Sequence, residues 1–367
     1  MNLKELASKL GLSPTTVSRA LNGYPEVNEV TRDRVVAAAK RHNYRPNARA
    51  IRLATGRAMA VGHVISGLSK NEIMNPIFAD FIAGAGESYS RHGYDMILSV
   101  VADDQEEATY RDLASRGAVD GVIVHSVRRN DTRLSLLREI GLPAVFHGRV
   151  TGSELDYNWV DVNNRRAFQR ATEFLLDLGH ARIGLVNGPE YMDFAIRRRT
   201  GYADALCQRG LAPDPDLMAS QEMTEVSGFR AASRMLALPA PPTAFLASSM
   251  LSGMGVRRAV EVLGLKMGRD VSVIIFDDDL SYLRNGEDVP IFTATRSSVR
   301  DAGRIAAQLV IDLINARALV VTAAAPPPPP RTHLLEAELI IGQSTGPAPA
   351  AVRARSAASA TVASAPA

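Results

Sequence analysis

The sequence predicts an N-terminal all-α helix-turn-helix headpiece followed by a two-lobed α/β core built on parallel sheets. Three observations predict it. Residues 1–57 hold eleven Lys/Arg against four Asp/Glu, a net +7, while the rest of the 367-residue chain carries −4. Two short helical patterns flank a glycine at residue 11. From residue 59 onward, strand-length apolar runs alternate with amphipathic stretches in two successive series. That alternation implies parallel strands joined by helical crossovers.

In the head, Leu3, Leu6, Ala7 and Leu10 recur at helical spacing and predict a helix over residues 3–10. Gly11 tolerates the left-handed conformation that ends it, and Leu12 turns inward. Ser13 is a good N-cap and Pro14 suits a first helical position, so a second helix runs to Leu21 and stops at Asn22-Gly23. Val17 and Leu21 then face the first helix. Thr15, Thr16, Ser18, Arg19 and Asn22 face outward, as short polar groups and a guanidinium able to read base edges. A third helix is expected over Thr31–His42, with Val35, Ala38 and Ala39 inward and Arg32, Arg34, Lys40 and Arg41 outward. A basic module on a mildly acidic body suits a polyanion, although charge alone fits a solvated basic face equally well. Pro46 blocks further helix, and Asn47 can cap a short one carrying Ala48, Ala50, Ile51 and Leu53. A helix this short is marginal by itself in water.

In the body, strands are expected at Met59–Ile65, Tyr94–Val101, Gly121–Val124 and Ala144–Phe146. Helices over Phe78–His92, Glu106–Arg116 and Arg133–Ile140 separate them. A second series begins at Trp159–Val162 and continues through strands Ile183–Val186, Ala244–Ala247, Val271–Phe276 and Leu334–Ile341. Its helices are Arg165–Leu178, Arg197–Arg209, Gly255–Leu263 and Val299–Ile314. Two such lobes place a cleft at the carboxyl ends of their strands. Ala323–Pro330, with five consecutive prolines, reads as a stiff extended loop, and the Ala/Pro/Ser-rich residues 347–367 as a disordered tail.

Several function classes are excluded. No run approaches the roughly 20 apolar residues of a membrane span, and no secretory h-region follows Met1, so a cytoplasmic location and no membrane partner are expected. The single cysteine, Cys207, rules out an internal disulfide framework and is expected as a buried small hydrophobe. The seven histidines include no H-x-x-x-H pair, and neither a phosphate loop nor a G-x-S-x-G elbow occurs. Gly84-Ala85-Gly86 reads as helix packing. No catalytic residue, metal or cofactor is therefore expected.

The run Leu3–Gly23 closely resembles the headpiece of the lactose/galactose repressor (LacI/GalR) family. So does Asn43-Tyr44-Arg45-Pro46-Asn47, followed by Ala50, Leu53, Thr55, Gly56 and Arg57. Nearly the whole body is similar to that family's effector-binding core, through Asn75–Phe78, Trp159–Asn164, Leu178–Ile183, Arg198–Tyr202 and Phe276-Asp277-Asp278. That core in turn resembles periplasmic sugar-binding proteins. The resemblance implies a DNA-binding head over 1–45, a hinge over 46–57, an effector-binding and dimerisation core over 58–346, and the tail. DNA contacts then fall to Ser13, Pro14, Thr15, Thr16, Ser18, Arg19, Asn22, Asn47 and Leu53, with Leu53 and its dimer mate wedged into a kinked minor groove. Burial of Leu53 against the body is the alternative.

For the effector, Arg198 and Asp277 match the family's arginine and acid, with Phe78 as a candidate wall. Asp278 and Asp279 fit turn and cap roles equally well. Two departures matter. Gly148 stands where many sugar-responsive members carry an aspartate, and Ser249-Met250 where an Asn-Asp pair is common. They point to a larger or differently oriented ligand, such as a disaccharide or α-glucoside, gripped partly by His147 and Ser249. In addition, Gly342-Gln343-Ser344-Thr345 lies where the family usually ends its last strand with an arginine, then Ser-Thr.

The resulting expectation is a homodimeric, sequence-specific transcriptional repressor of carbohydrate-utilisation genes. It would bind double-stranded operator DNA and be released by a small sugar. A corepressor- or activator-type regulator with a sugar or purine effector stays open, as do a stand-alone sugar receptor and a sugar-directed enzyme.

Overall fold

A computed structural model describes residues 1–21, 24–44, 56–66, 75–323 and 329–349. Asn22, Asn47, Leu53, most of the hinge and most of the proline run lie outside the described residues. The chain divides into two compact units, Met1–Met59 and Ala60–Ala367.

The first unit contains α1 (Leu3–Leu10), α2 (Pro14–Leu21) and α3 (Glu29–Arg41). A capping box opens α1: the Asn2 side chain accepts from Glu5 N at 2.9 Å, and the Glu5 carboxylate accepts from Asn2 N at 3.1 Å. Gly11, at φ 66°, closes it. Ser13 Oγ accepts from Thr16 N at 3.0 Å and so caps α2 as expected. Helix α3 starts earlier than the sequence suggests, because Asn28 Oδ1 accepts from Thr31 N at 2.7 Å. Leu6, Ala7, Val17, Ala20, Val27, Val35 and Ala39 form the core, with Leu21 and Ala38 only partly buried beside it. Arg32 and Arg34 are not free outward charges. Arg32 donates to Tyr24 O at 3.0 Å and Val27 O at 3.2 Å, and Arg34 donates to Leu10 O at 2.6 Å.

In the second unit, one sheet comprises β1 (Ala60–Ser66), β2 (Asp95–Val101), β3 (Gly121–Val124), β4 (Ala144–His147), β5 (Asn158–Val162) and β11 (Thr332–Leu335). Its order is β11-β5-β4-β3-β1-β2, all parallel. The other comprises β6 (Ile183–Asn187), β7 (Met218–Ser220), β8 (Ala244–Ala247), β9 (Ser272–Asp277), β10 (Thr293–Arg296) and β12 (Glu338–Ile340). Its order is β12-β10-β9-β8-β6-β7, parallel except where β12 meets β10.

Helices α4 (Pro76–His92), α5 (Glu106–Ser115) and α6 (Arg133–Glu139) belong to the first lobe, together with α11 (Val299–Ala323), which packs on α4 and on β3–β5. Helices α7 (Asn164–Asp177), α8 (Asp193–Gln208), α9 (Glu225–Leu236) and α10 (Met250–Val262) cover the second sheet. Both faces of that sheet are dry. Phe245, Ala247, Val273 and Ile275 pack toward α9 and α10, while Ala244, Leu246, Ile274 and Phe276 pack toward α7 and α8. This is why its strands read as continuous apolar runs.

Three expectations are corrected. The strand at 158–162 does not open the second series; it pairs with β4 and β11 in the first sheet. The single last strand expected at 334–341 is two, β11 in one sheet and β12 in the other. Cys207 is exposed, on the outer side of α8. Packing continues past residue 346: Ala348 is fully buried and its N–H donates to Leu178 O at 2.9 Å. The chain thus passes between lobes after β5, after β10 and between β11 and β12. Among the described residues, no helix is long and apolar enough to cross a membrane.

Candidate functional site

Those crossings and the strand ends of both lobes enclose a cleft of about 180 Å³. Hydrogen bonds join its rims: Asp193 N donates to Val127 O at 2.9 Å, Thr151 N to Asp193 Oδ1 at 3.0 Å, and Ser281 N to Asp80 Oδ2 at 2.7 Å. Asp161 and Asn164, at the first crossing, line the floor. Asp161 pairs with Arg149 at 2.7 Å.

Arg198, on α8, is the best-anchored group in the cleft. It is 5% exposed, and its Nε donates to Asn164 Oδ1 at 2.7 Å and its Nη1 to Ser248 O at 2.6 Å. Its guanidinium carbon sits 3.9 Å from the Phe276 ring centre and 4.8 Å from that of Phe194. Burial lowers its pKa to about 10, so it stays cationic at neutral pH. Asp278 lines the same cleft, where burial raises its pKa to about 7 against the opposing pull of Arg198. The pair supplies a fork of donors and an acceptor beside aromatic faces, the set that vicinal hydroxyls on a ring require.

On the first-lobe side, Phe78, Phe81, His125 and His147 line the wall. His147 stacks on Phe81 at 4.3 Å between ring centres, and burial lowers its pKa to about 4, which leaves it neutral. It can therefore offer one donor and one acceptor.

Of the effector residues expected from sequence, Phe78, His147 and Arg198 meet in the cleft. Asp277 and Ser249 do not line it, and each is replaced by its neighbour. The Asp277 carboxylate turns back to accept from Asp279 N at 2.9 Å, and Asp278 takes the cleft position. Ser249 caps α10, accepting from Ser252 N at 3.1 Å, while Ser248 lines the cleft. Gly148 is a backbone requirement as well as a missing carboxylate. Its φ is 121°, and a Cβ there would lie 3.2 Å from two Val127 carbons. Sequence reasoning missed His125, Asn164, Phe194 and Phe276 as lining residues. The alternation of side chains along β9 was the available signal for Phe276 and Asp278, which share a face.

On the head, Ser13, Pro14, Thr15 and Arg19 are exposed, and Thr16 and Ser18 are half-buried. The Thr16 hydroxyl is engaged with Ser13 Oγ at 2.8 Å, so Thr15 and Arg19 are the exposed polar side chains on this helix face. A guanidinium can fork to guanine and a hydroxyl can bond either base edge, so this face has base-reading chemistry.

Comparison with known proteins agrees with both parts. Residues 2–47 match the family described as bacterial regulatory proteins, lacI family, and residues 62–323 match periplasmic binding proteins and sugar binding domain of LacI family. The chain is 45% identical over 351 residues to the HTH-type transcriptional regulator AglR of Rhizobium meliloti (strain 1021), covering 95% of both. It is 34% identical over 324 residues to RafR of Escherichia coli, covering 86% of this chain and 92% of that protein. Among solved structures, a transcriptional regulator CelR–cellobiose complex aligns with TM-score 0.68 and 28% identity over 94% of this chain and 99% of its own. The lac repressor dimer bound to operator shares the fold, with TM-score 0.77 at 23% identity over 94% and 99% of the two chains. The chain belongs to the LacI family of transcriptional regulators.

Proposed function

We propose that the chain is a homodimeric repressor of carbohydrate-utilisation genes, released from its operator when a disaccharide-class sugar binds the cleft. The observation behind this reading is the Arg198–Asp278 pair set among Phe194, Phe276 and the Phe78/Phe81 wall. The cellobiose held by the CelR structure supports a two-ring ligand, as does the absence of a side chain at Gly148. Two heads occupy two half-sites of a pseudo-palindrome, with Thr15, Thr16 and Arg19 at base edges and surrounding Lys and Arg on phosphates. Asn22 and Asn47 add contacts, and Leu53 of each subunit wedges into the minor groove. Sugar closure reorients the first lobes, the two heads no longer match the two half-sites, and the operator is released. A coupling of roughly 1–3 kcal/mol changes operator affinity about 5–150-fold.

The test is fluorescence anisotropy on a labelled palindrome from the upstream region of the gene, against sucrose, maltose, trehalose, glucose, galactose and a purine. Release by a disaccharide alone is the expected result. Binding that appears only when a ligand is added would make this a corepressor-type switch. Micromolar affinity for a monosaccharide by calorimetry would overturn the two-ring ligand.

A further inference from the structure

Behind the Phe78/Phe81 wall, three buried polar groups form a chain that ends at the cleft. Tyr89 on α4 lies 2.9 Å, oxygen to nitrogen, from His63 Nε2 on β1. His63 Nδ1 lies 2.9 Å from His125 Nε2, just beyond the end of β3. Tyr89 is 2% exposed, His63 fully buried and His125 4% exposed. Of these three, only His125 reaches the cleft.

Both imidazoles are neutral, since burial pushes the His63 pKa to about 3 and that of His125 well below its ordinary value. Each ring then carries one proton, and only two arrangements fit the distances. In the first, the Tyr89 hydroxyl donates to His63 Nε2, His63 Nδ1–H donates to His125 Nε2, and the His125 proton is on Nδ1. In the second every bond reverses: His125 Nε2–H donates to His63 Nδ1, His63 Nε2–H donates to the Tyr89 oxygen, and His125 Nδ1 is a bare acceptor. Tyr89 decides between them. Its hydroxyl has no other partner among the described residues, so the second arrangement strands its proton in a dry site. The first leaves no buried donor unsatisfied.

We propose that Tyr89 and His63 act as positioning residues that fix His125 as an Nδ1–H donor to the effector. Nε2 is committed to His63, so Nδ1 is the ring nitrogen His125 has left to offer the cleft. Ring rotation cannot exchange the two nitrogens freely. Phe78 and Phe81 stand edge-on to His125 at 5.2 and 4.9 Å between ring centres, and His147 adds a third contact at 6.0 Å. Toward the cleft, His125 is therefore donor-only. It fits a ligand oxygen lone pair, from a hydroxyl, an ether or a glycosidic linkage, and disfavours an ammonium or an N–H at the same place. This inference deepens the sugar reading by assigning polarity to one subsite, and its test needs no ligand.

The full-length protein labelled with 15N-histidine, near neutral pH, reports each ring's tautomer in long-range 1H–15N correlation spectra. His125→Asn and His63→Asn assign the signals. The expected result is a protonated Nδ1 and an unprotonated Nε2 on both His63 and His125. A protonated Nε2 on His125 overturns the proposal whether or not any sugar releases the operator. Tyr89→Phe removes the deciding donor, so a His125 Nε2–H population should emerge in the folded variant. An unchanged His125 spectrum in that variant overturns the role of Tyr89, and if the variant does not fold the parent spectrum decides alone.

Discussion

Arg198 meets demands that a lysine cannot meet together. Its fork satisfies Asn164 and the Ser248 carbonyl while its flat face covers Phe276. Arg198→Lys keeps the charge and loses both the fork and the stacking. It should weaken sugar binding by about 10-fold or more, with about 1–3 kcal/mol lost in urea denaturation because a buried carbonyl is left unpaired. Asp278 gives a pH prediction of definite sign. Its folded-state pKa is raised from 3.8 to about 7 by burial, so the folded chain holds this proton more tightly than the unfolded chain. The stability it contributes is complete below about pH 4 and is lost as pH rises through about 7. Asp278→Asn removes that titration, so its stability relative to the parent should improve from about pH 4 to about pH 7. A relative stability that stays flat over that range would show that Asp278 is not held neutral by burial. At this scale the cleft lining is legible to within one residue. Arg198, Phe78 and His147, expected from sequence, line it, whereas Asp277 and Ser249 do not and their neighbours Asp278 and Ser248 do. Strand alternation sends Asp277 away from the Phe276 side, and the helix N-cap claims Ser249. His125 is harder to read, because its partner His63 is 62 residues away and only strand pairing brings them together.

Helix packing sets the cleft walls at the next scale. Helices α4 and α11 approach so closely that a Cβ on Gly84 would lie 2.0 Å from Arg300 O, and one on Gly303 would lie 2.1 Å from Phe81 O. Gly86, in the same Gly84-Ala85-Gly86 run, has nothing within 4 Å, so only one of the two glycines serves packing. Phe78 and Phe81 on α4, and Val299 and Ala302 on α11, line the cleft. Gly84→Ala should therefore lower both stability and sugar affinity, while Gly86→Ala should leave affinity unchanged and gain up to about 1 kcal/mol from helix propensity. Paired calorimetry and urea melts check this contrast; equal effects at the two positions would exclude the close-packing account. In the head, Ser13→Ala removes the α2 cap and should cost about 1 kcal/mol in thermal unfolding of the first unit. Helices and buried strands are legible because their periodicities are local. Sheet membership is not: the residues of β5 carry no mark of belonging with β4 and β11, β7 is too brief to show a period, and β10, Thr-Ala-Thr-Arg, is not an apolar run.

For the molecule as a whole, the lopsided charge and the lobed body make separable contributions to operator binding. The head segment carries +7, and charge of this kind acts on any duplex by releasing counterions, with a slope of about −0.9 in log affinity per phosphate neutralised. Sequence preference instead requires two heads held at the spacing of two half-sites. If sugar acts by disrupting that pairing, it changes geometry and leaves the charge of each head untouched. Adding the effective sugar should therefore lower affinity for the operator about 5–150-fold while affinity for a scrambled duplex of equal length barely moves. The scrambled-duplex affinity should also keep its steep salt dependence with the sugar present. Anisotropy titrations on both duplexes, at two salt concentrations and with and without sugar, measure all of these terms at once. Equal weakening on the two duplexes would mean that the effector disables the heads individually, and the pairing mechanism would have to be abandoned.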